Sequence, residues 1–333
     1  MTAVAAEALT SYFLLNAYAE GLVESIDELC AAPDLVDESS VAAAEEAIMR
    51  TRRMWSYTAA MQIESVKERR SWAVMDWPIS QDDITSLLLD DSKDLTSERI
   101  GNRVGADQRG LGAAEYLLSL HATPEPPPNS GTAQRRCEYM SSVAGAMLEE
   151  TELILGDTEF IVEDDEPLYK LIAPDAEMGV DRIVNDTIFL LEAITDMELG
   201  RALGETSAEA RLDAIVEGPM GLGAEDLRHH LDGLRAVYLG ANVKVTSDAG
   251  ETSGLHTLLD DELVSRLTGQ FDDARAALEQ IDGPLLDAVQ DDPATVSDAR
   301  AALKVLQVTI STEVVAHLGV TIGFSDADGD SSA

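Results

Sequence analysis

Apolar side chains recur at three- and four-residue spacing along most of this 333-residue chain. The first example lies in residues 3–33, where Leu9, Phe13 and Ala17 follow that spacing and Pro33 ends the pattern. Such a series covers one face of an α-helix, and that face must be buried against other elements. The chain is therefore predicted to be all-α, with helices packed on helices.

The same periodicity predicts the remaining secondary structure. Ser39 or Ser40 can cap the second helix, and Ser80 followed by Asp83 resembles a capping box. Residues 160–162 are the one place where a short strand is expected. The predicted helices after the first span residues 37–70, 81–89, 108–121, 132–156, 178–203, 207–216, 224–239, 260–280 and 294–318.

The clearest linker in the chain is residues 123–131, which contain four prolines and a glycine. Proline disfavours the helical conformation in the residue before it and lacks the N–H that a helix needs. We therefore expect two packed helical bundles, residues 1–122 and 132–325, followed by an acidic tail at 326–333.

The charge of the chain restricts its partners. With 63 acidic and 23 basic residues, the net charge is −40, and the acids are spread along the whole sequence. Such a surface repels phosphate backbones, so nucleic-acid binding is not expected. The acidity indicates either adaptation to a saline environment or a surface that attracts cations.

Membrane and disulfide features are sparse. No apolar run is long enough to predict a transmembrane helix, and Glu7 stands where a signal peptide would carry basic residues. The N-terminal segment is therefore not a signal peptide as it stands, and the earlier removal of a signal or lipoprotein leader stays open. Cys30 and Cys137 form either one disulfide or two unrelated buried thiols, and the sequence leaves both alternatives open.

Common catalytic and metal-binding motifs are absent from the sequence. It has no HExxH, GxSxG, P-loop or GxGxxG pattern. Of the five histidines, His229 and His230 are sequence neighbours, so on a helix their side chains point about 100° apart. Two surface histidines are the simpler interpretation of that pair.

Glu115 is the most unusual residue of the predicted helices. It lies on a helix beside a stripe formed by Leu111, Ala114 and Leu118, which is expected to face the core. A carboxylate in that position is costly to bury unless it meets a cation, a hydrogen-bond donor or a metal ion. An arginine across the bundle, either Arg109 or one on another helix, would satisfy it.

Four segments together resemble one protein family. RGLGAAEYLL at residues 109–118 is similar to the signature segment of the imelysin-like proteins, also called the M75 peptidase family. DWPI at 76–79, LRHHLDGLRAVYLG at 227–240 and the closing LGV, GF and DGD within 318–330 resemble further segments of that family, in the same order.

The resemblance implies two helical bundles with a functional site in the cleft between them. It also implies a periplasmic, outer-membrane-anchored or secreted location, and a link to iron uptake and to peptidase activity. The signature of the best-known members reads GxHxxE. Gly110 and Glu115 match it, but Gly112 stands at the histidine position; Glu217 matches a later segment in which glycines replace serines.

These features predict a ligand site centred on Glu115, which would also be the ligand of a metal ion. Arg109 and Asp107 are expected to orient Glu115, and Trp77 to form a wall of the site. Carboxylate oxygens suit iron, so the missing histidine does not exclude it; the cofactor is left open, with iron as the candidate. The remaining predicted site residues are Gly110, Gly112, Asp76, Glu217 and Asp328.

The preferred functional hypothesis is a non-catalytic, extracytoplasmic binding protein. Its ligand would be a metal or small molecule in the cleft, and its partners would be iron-uptake proteins at the cell envelope. Two alternatives remain open at this point, namely an M75-type peptidase and a structural or interaction module that uses the acidic surface. The peptidase is the less favoured of these, because the motif histidine is missing.

Overall fold

Helices form the regular structure of this protein. The structure, a computed structural model, describes residues 1–34, 37–123, 131–159, 161, 166–240 and 254–323. Within these ranges the chain contains no β-strand, and the prediction of an all-α fold is confirmed. The α-helices are α1 (Thr2–Leu29), α2 (Glu38–Thr58), α3 (Glu64–Arg69), α4 (Trp72–Met75), α5 (Gln81–Leu89), α6 (Ser97–Arg103), α7 (Gly110–Ala122), α8 (Ala133–Gly156), α9 (Ala176–Glu192), α10 (Gly200–Ala202), α11 (Gly223–Leu239), α12 (Asp261–Leu278), α13 (Leu285–Asp291), α14 (Pro293–Thr309) and α15 (Val315–Leu318).

Two stretches of wider π-helix continue α-helices without a break. Ala193–Leu199 joins α9 to α10, and Ile310–Val314 joins α14 to α15. A π-helical turn changes which side chains face a neighbouring helix, and such turns occur frequently at functional sites. The first of the two carries Glu198 and is described with the site below.

Several helix starts have the side-chain caps that their sequences predict. Ser80 accepts a hydrogen bond from the Asp83 N–H, as expected for the start of α5. The start of α2 differs from the prediction, because Asp37 rather than Ser39 or Ser40 is the cap and accepts the Ser40 N–H. A carboxylate at this position also interacts favourably with the helix dipole.

The helix predicted at 37–70 is interrupted. After α2 the chain forms a 3₁₀ turn at Ala59–Met61, and α3 begins only at Glu64. A Cβ on Gly233 of α11 would overlap the Tyr57 carbonyl oxygen, so the two backbones touch where α2 ends. This close crossing of two helices has no signal in the spacing of apolar residues.

The prediction of a helix at 207–216 is wrong. Only Leu212–Ala214 forms a turn there, of the 3₁₀ type. Leu212 and Val216, which supplied its apolar pattern, are 38% and 46% exposed, so no packing stabilises a longer helix. In the other direction, the sequence did not predict α4, α6 and α13, which are seven residues or shorter.

α2 lies between two groups of helices. On one side it packs against α1 and α7, and on the other side it packs against α11. α11 in turn contacts α12, which packs on α14. Buried side chains of both groups form one continuous core. Side chains on α2 therefore lie at the junction of the two groups and can contact both.

α8 packs against α1, α6 and α7, which precede the proline-rich segment, although its sequence position predicts it in the second bundle. The division at 123–131 stays a prediction, because residues 124–130 lie outside the part of the chain that the structure describes. The tail at 326–333 lies outside it too. So do residues 160 and 162 of the expected strand, while Ile161 is helical.

One disulfide connects the first group of helices. Cys30, at the end of α1, is bonded to Cys137 of α8, and the two Cα atoms are 5.5 Å apart. The two cysteines are 107 residues apart in sequence, so the bond closes a long loop of the unfolded chain. Of the two alternatives that the sequence left open, the structure shows the disulfide.

One described helix, Pro293–Leu318, is long and apolar enough to cross a membrane by length and composition alone. Its most apolar stretch has a mean hydropathy of 1.2. Leu303, Leu306 and Ile310 of this helix are buried in the core, and α14 packs against α9 and α12. Of the most apolar stretch, 33% is buried within the protein.

Candidate functional site

A buried arginine lies at the junction of the two helix groups. Arg52 of α2 is only 3% exposed, and its guanidinium contacts three carboxylates. Its Nε is 2.7 Å from Glu115 Oε1, and its Nη1 is 2.9 Å from Asp226 Oδ2 and 3.2 Å from Asp76 Oδ2. We refer to Arg52, Asp76, Glu115 and Asp226 as the Arg52 cluster.

Four different segments position the Arg52 cluster. Glu115 comes from α7, Asp226 from the first turn of α11, and Asp76 from the residue at which α4 ends. Ser56 follows Arg52 by one helical turn on α2, and its hydroxyl donates to Asp226 Oδ1 at 2.9 Å. Residues four apart share a helix face, so both side chains of α2 reach the same carboxylate.

Both oxygens of Glu115 have protein donors. Arg52 occupies Oε1, and the Met220 N–H donates to Oε2 at 3.1 Å. The loop that carries Met220 comes so close that a Cβ on Gly218 would overlap Glu115 Oε2. Burial raises the pKa of Glu115, while Arg52 and the Met220 N–H act in the opposite direction.

Charge balance around Arg52 is strongly negative. Burial by itself would lower the pKa of Arg52, but the charges of Asp76, Asp226 and Glu115 raise it, so the guanidinium stays protonated. Burial raises the pKa of Asp76 and of Asp226, and Arg52 opposes that shift in both. One positive charge thus faces three carboxyl groups, so acidic groups outnumber basic groups at this site.

Glu198 adds a fourth carboxyl group within electrostatic reach of Asp76 and Asp226. It lies on the π-helical turn after α9 and accepts a hydrogen bond from the Val216 N–H at 3.1 Å. Burial is the largest cause of its raised pKa, which is about 8, and the neighbouring acids raise it further. Glu198 therefore holds a proton at neutral pH and can release it when a cation approaches.

His230 of α11 lies within electrostatic reach of Asp76. Its Nδ1 is buried and has no hydrogen-bond partner among the described residues. Burial lowers its pKa to about 4, although Asp76 acts to raise it, so the imidazole is neutral at neutral pH. Because Asp76, Glu198 and His230 are all partly exposed, we call them the rim residues.

The residues present do not form a resident metal site as they stand. In the described ranges, no group of three or more His, Cys, Asp or Glu side chains is placed to hold a metal ion. Arg52 occupies the centre between the carboxylates, and both oxygens of Glu115 are already bonded. A metal-bound Glu115, as the sequence predicted, would require Arg52 to leave.

Arg109 and Asp107 do not orient Glu115. The Arg109 guanidinium donates to the carbonyl oxygens of Ala73, Ile100 and Gly101, and it thereby joins α4 to α6. Asp107 contributes its carbonyl oxygen to the Ser80 N–H at 2.9 Å. Of the two alternatives for the Glu115 partner, an arginine of another helix is the one the structure shows.

Both glycines of the predicted signature lie against other backbone or side chains. Gly110 has a φ of +81°, and a Cβ there would be 2.7 Å from the Met75 carbonyl oxygen, so only glycine fits. A Cβ on Gly112 would be 2.9 Å from Ile79 Cγ2. The space beside position 112, at which the resemblance predicts a histidine, is therefore filled by Ile79.

The remaining predicted residues have separate places. Asp76 belongs to the Arg52 cluster, and its neighbour Trp77 is 45% exposed. Glu217 accepts hydrogen bonds from the N–H groups of Gly223, Leu285 and Leu286, so it fastens the starts of α11 and α13 together. Asp328 lies outside the residues that the structure describes.

Four residues of the site were missed by the sequence analysis, namely Arg52, Asp226, Glu198 and His230. Arg52 had a usable signal, because it follows Ile48 by four residues and so lies on the buried stripe of α2. The other three had none. Asp226 resembles an ordinary acid in the first turn of a helix, and Glu198 depends on a π-helical turn that sequence spacing does not show.

Comparisons with known proteins agree with this architecture. The family model Peptidase_M75, described as Imelysin, matches residues 8–311. An imelysin-like protein from Psychrobacter arcticum 273-4 has a similar structure, with a TM-score of 0.74, 17% identity, and coverage of 96% of this chain and 95% of that one. A protein from Parabacteroides distasonis ATCC 8503, described as an iron-regulated protein A precursor, has a TM-score of 0.72 and 16% identity. That match covers 93% of this chain and 92% of the other. No curated protein sequence matches the chain.

Proposed function

Because the chain belongs to the imelysin family, we propose that it is a non-catalytic binding protein of the cell envelope that takes a cation at the junction of its two helix groups. The observation that carries this proposal is the excess of carboxyl groups over cations around Arg52. Asp76, Asp226 and Glu115 share one guanidinium, and Glu198 lies within electrostatic reach of Asp76 and Asp226.

The rim residues are the proposed point of entry. Asp76 and Glu198 are partly exposed acids, and His230 adds a neutral imidazole whose Nδ1 lacks a partner among the described residues. Because each of the three is partly exposed, a cation arriving from the solvent can reach them. We assign Glu115 a different part, in which it holds Arg52 and the Met220 loop in place.

Position 112 supports a role without catalysis. A side chain there would be needed to supply the imidazole of the family signature, and glycine supplies none. The adjoining space contains Ile79. Peptide hydrolysis needs an activated water or a nucleophile together with a base, and the apolar Ile79 side chain can provide neither.

The disulfide supports a location outside the cytoplasm. Disulfides form and persist in oxidising compartments and are rare in reducing ones. Cys30 and Cys137 are so bonded, and the Parabacteroides relative is described as a precursor. We therefore propose a periplasmic, outer-membrane-anchored or secreted protein.

Iron is the cation that we propose first. The Parabacteroides relative is described as iron-regulated, and carboxylate oxygens with one imidazole suit ferrous or ferric iron. Proteins of iron uptake at the cell envelope are the corresponding partners. On this proposal iron is cargo, bound and passed on, and performs no chemistry on the protein.

Calorimetric titration with ferrous iron under anaerobic conditions tests the proposal. The wild type should bind saturably, and Glu198→Gln should bind at least about ten-fold more weakly, because a charged ligand oxygen is lost. Glu262→Gln, which changes an acid on the surface of α12 whose side chain is 85% exposed, is the matched control and should bind as the wild type does. Absence of saturable heat, or equal affinity of the Glu198 and Glu262 variants, would overturn it.

A further inference from the structure

A cavity separate from the Arg52 cluster lies beside α11 and α12. It has a volume of about 600 Å³ and is open to solvent. Two short loops border it, one around Gly221 and one around Gly283, and both glycines have a positive φ. The volume is that of a small-molecule site. None of the Arg52 cluster lines it.

Arg228 lines this cavity, and its guanidinium is hydrogen-bonded through two of its three nitrogens. Its Nε and Nη2 donate to the Leu278 carbonyl oxygen, and Nη2 also donates to that of Ile281 at 2.6 Å. Nη1 has no hydrogen bond within the described residues. No carboxylate described there lies within ion-pair distance of Arg228 either. Carbonyl oxygens hold the side chain in place without neutralising its charge, so Nη1 can receive an anionic oxygen.

Carboxylates line the same cavity. Asp282 is exposed and has no ion pair among the residues that the structure describes, and Glu279 contacts Arg275 through Oε1 alone. With Arg228, Arg275 and Glu225, the lining carries both signs of charge in a chain whose net charge is −40. This local balance favours a ligand that itself carries both charges.

Apolar side chains complete the lining. Met220 and Pro284 border the cavity next to the charged groups, and the buried Ile281 lies beneath them. We propose that this cavity binds an α-amino acid with an apolar side chain. Its carboxylate would be bonded to Arg228 Nη1, its ammonium group would lie toward Asp282 and Glu279, and its side chain would pack against the apolar residues.

This second site is independent of cation binding at the Arg52 cluster, but the two share a loop. The Met220 N–H donates to Glu115, while Met220 and Gly221 line the cavity. Glu217, three residues earlier, fastens Gly223 and Leu285 on the two borders of the cavity. Hydrogen bonds within the protein therefore hold the borders of the cavity in place.

Calorimetry with L-leucine tests this proposal directly. Leucine should bind saturably, and 4-methylpentanoate and leucinamide, which lack the ammonium and the carboxylate respectively, should each bind at least about ten-fold more weakly. Arg228→Gln should abolish binding, but it also removes hydrogen bonds that hold the end of α12. Asp282→Asn changes an exposed side chain and should weaken leucine binding without changing the thermal stability.

The expected result is thus selectivity for the zwitterion together with a loss in Asp282→Asn. Arg50→Gln, on the exposed surface of α2, is the control and should bind leucine as the wild type does. No saturable heat up to about 10 mM leucine, which corresponds to very weak binding, would overturn the proposal. So would equal affinity for either analogue, or unchanged binding in the Asp282 variant.

Discussion

At the scale of single residues, the Arg52–Glu115 pair is the feature on which the site depends. Glu115 has a fully buried side chain and Arg52 is 4% exposed at its side chain. Removing Glu115 would leave the Arg52 Nε and the Met220 N–H without an acceptor, and an unsatisfied buried donor costs about 1 to 3 kcal/mol. We therefore expect the pair to be essential for stability rather than replaceable one residue at a time.

Glu115→Ala should lower the free energy of unfolding by about 2 to 5 kcal/mol in urea denaturation, because the Arg52 Nε and the Met220 N–H both lose their acceptor. Glu46→Ala is the matched control. It breaks the exposed pair with Arg50 and should cost less than about 1 kcal/mol. Similar losses of unfolding free energy in the two variants would mean that the buried pair contributes no more to stability than the exposed one.

A second residue-scale prediction concerns Gly112. Replacing a helical glycine by alanine normally stabilises a helix, but here the new Cβ would lie 2.9 Å from Ile79. Gly112→Ala should therefore cost about 1 to 3 kcal/mol, and Ile79→Ala in the same chain should relieve most of that cost. The measurement is a double-mutant cycle of unfolding free energies.

Gly269→Ala is the control for this cycle. Gly269 lies inside α12, and nothing is within 4 Å of the place where a Cβ would be. That variant should be more stable than the wild type by about 0.4 to 1 kcal/mol. If Gly112→Ala stabilised the protein equally, Ile79 would not occupy the space beside position 112.

Sequence reasoning identified Glu115 but not its partner. A carboxylate beside a buried helical stripe shows in the sequence, because helical spacing is local. Arg52 lies 63 positions earlier, and which of the arginines meets Glu115 depends on how α2 crosses α7. The prediction that Arg109 orients Glu115 failed for this reason, since Arg109 is nearer in sequence but bonds carbonyl groups of α6 and the α4 region.

At the scale of elements, the π-helical turn at Ala193–Leu199 determines where Glu198 lies. The long helices were predicted to within a few residues, because each buries a continuous stripe. The failures at 207–216 and at the end of α2 have a common origin. Apolar spacing shows that a segment could be a helix, but only packing partners decide whether it is one.

The raised pKa of Glu198 predicts a pH dependence for the metal-free protein. Its pKa is about 8 in the folded protein against 4.5 for an ordinary glutamate. The folded protein therefore keeps a proton that the unfolded chain has released, so this residue's contribution to stability is full below about pH 4.5 and is lost as the pH rises to about 8. Glu198→Gln should lack that loss.

The measurement compares unfolding free energies at about pH 5 and about pH 8.5. Relative to the wild type, Glu198→Gln should gain stability on going to the higher pH. Asp213→Asn is the control, since hydrogen bonding to Arg211 lowers the pKa of Asp213 and the carboxyl stays ionised across this range. The difference in unfolding free energy between Glu198→Gln and the wild type could instead be the same at both pH values, as expected for the control. That result would show that the pKa of Glu198 is not raised in the folded protein.

At the scale of the whole molecule, the charge of −40 is the dominant property. The all-α class and the family were predictable from the sequence, because helical spacing and segment order extend over the whole chain. The packing of α8 with the first group was not, since it depends on contacts between segments far apart in sequence.

Stability should rise steeply with salt. Like charges on a compact surface repel one another, and salt screens that repulsion over a Debye length of about 10 Å at 0.1 M and about 3 Å at 1 M. We expect the urea midpoint of the metal-free protein to increase between about 0.1 M and about 2 M NaCl. Equal midpoints at both concentrations would count against adaptation to a saline environment and favour a cation-attracting surface.

The most direct test of the central claim is an anomalous difference map from a crystal soaked in ferrous iron. The proposed function predicts a peak about 2 Å from oxygens of Asp76 or Glu198, or from Nδ1 of His230, with Arg52 still bonded to Glu115. A peak on Glu115 with Arg52 displaced, or no peak near the Arg52 cluster, would contradict it.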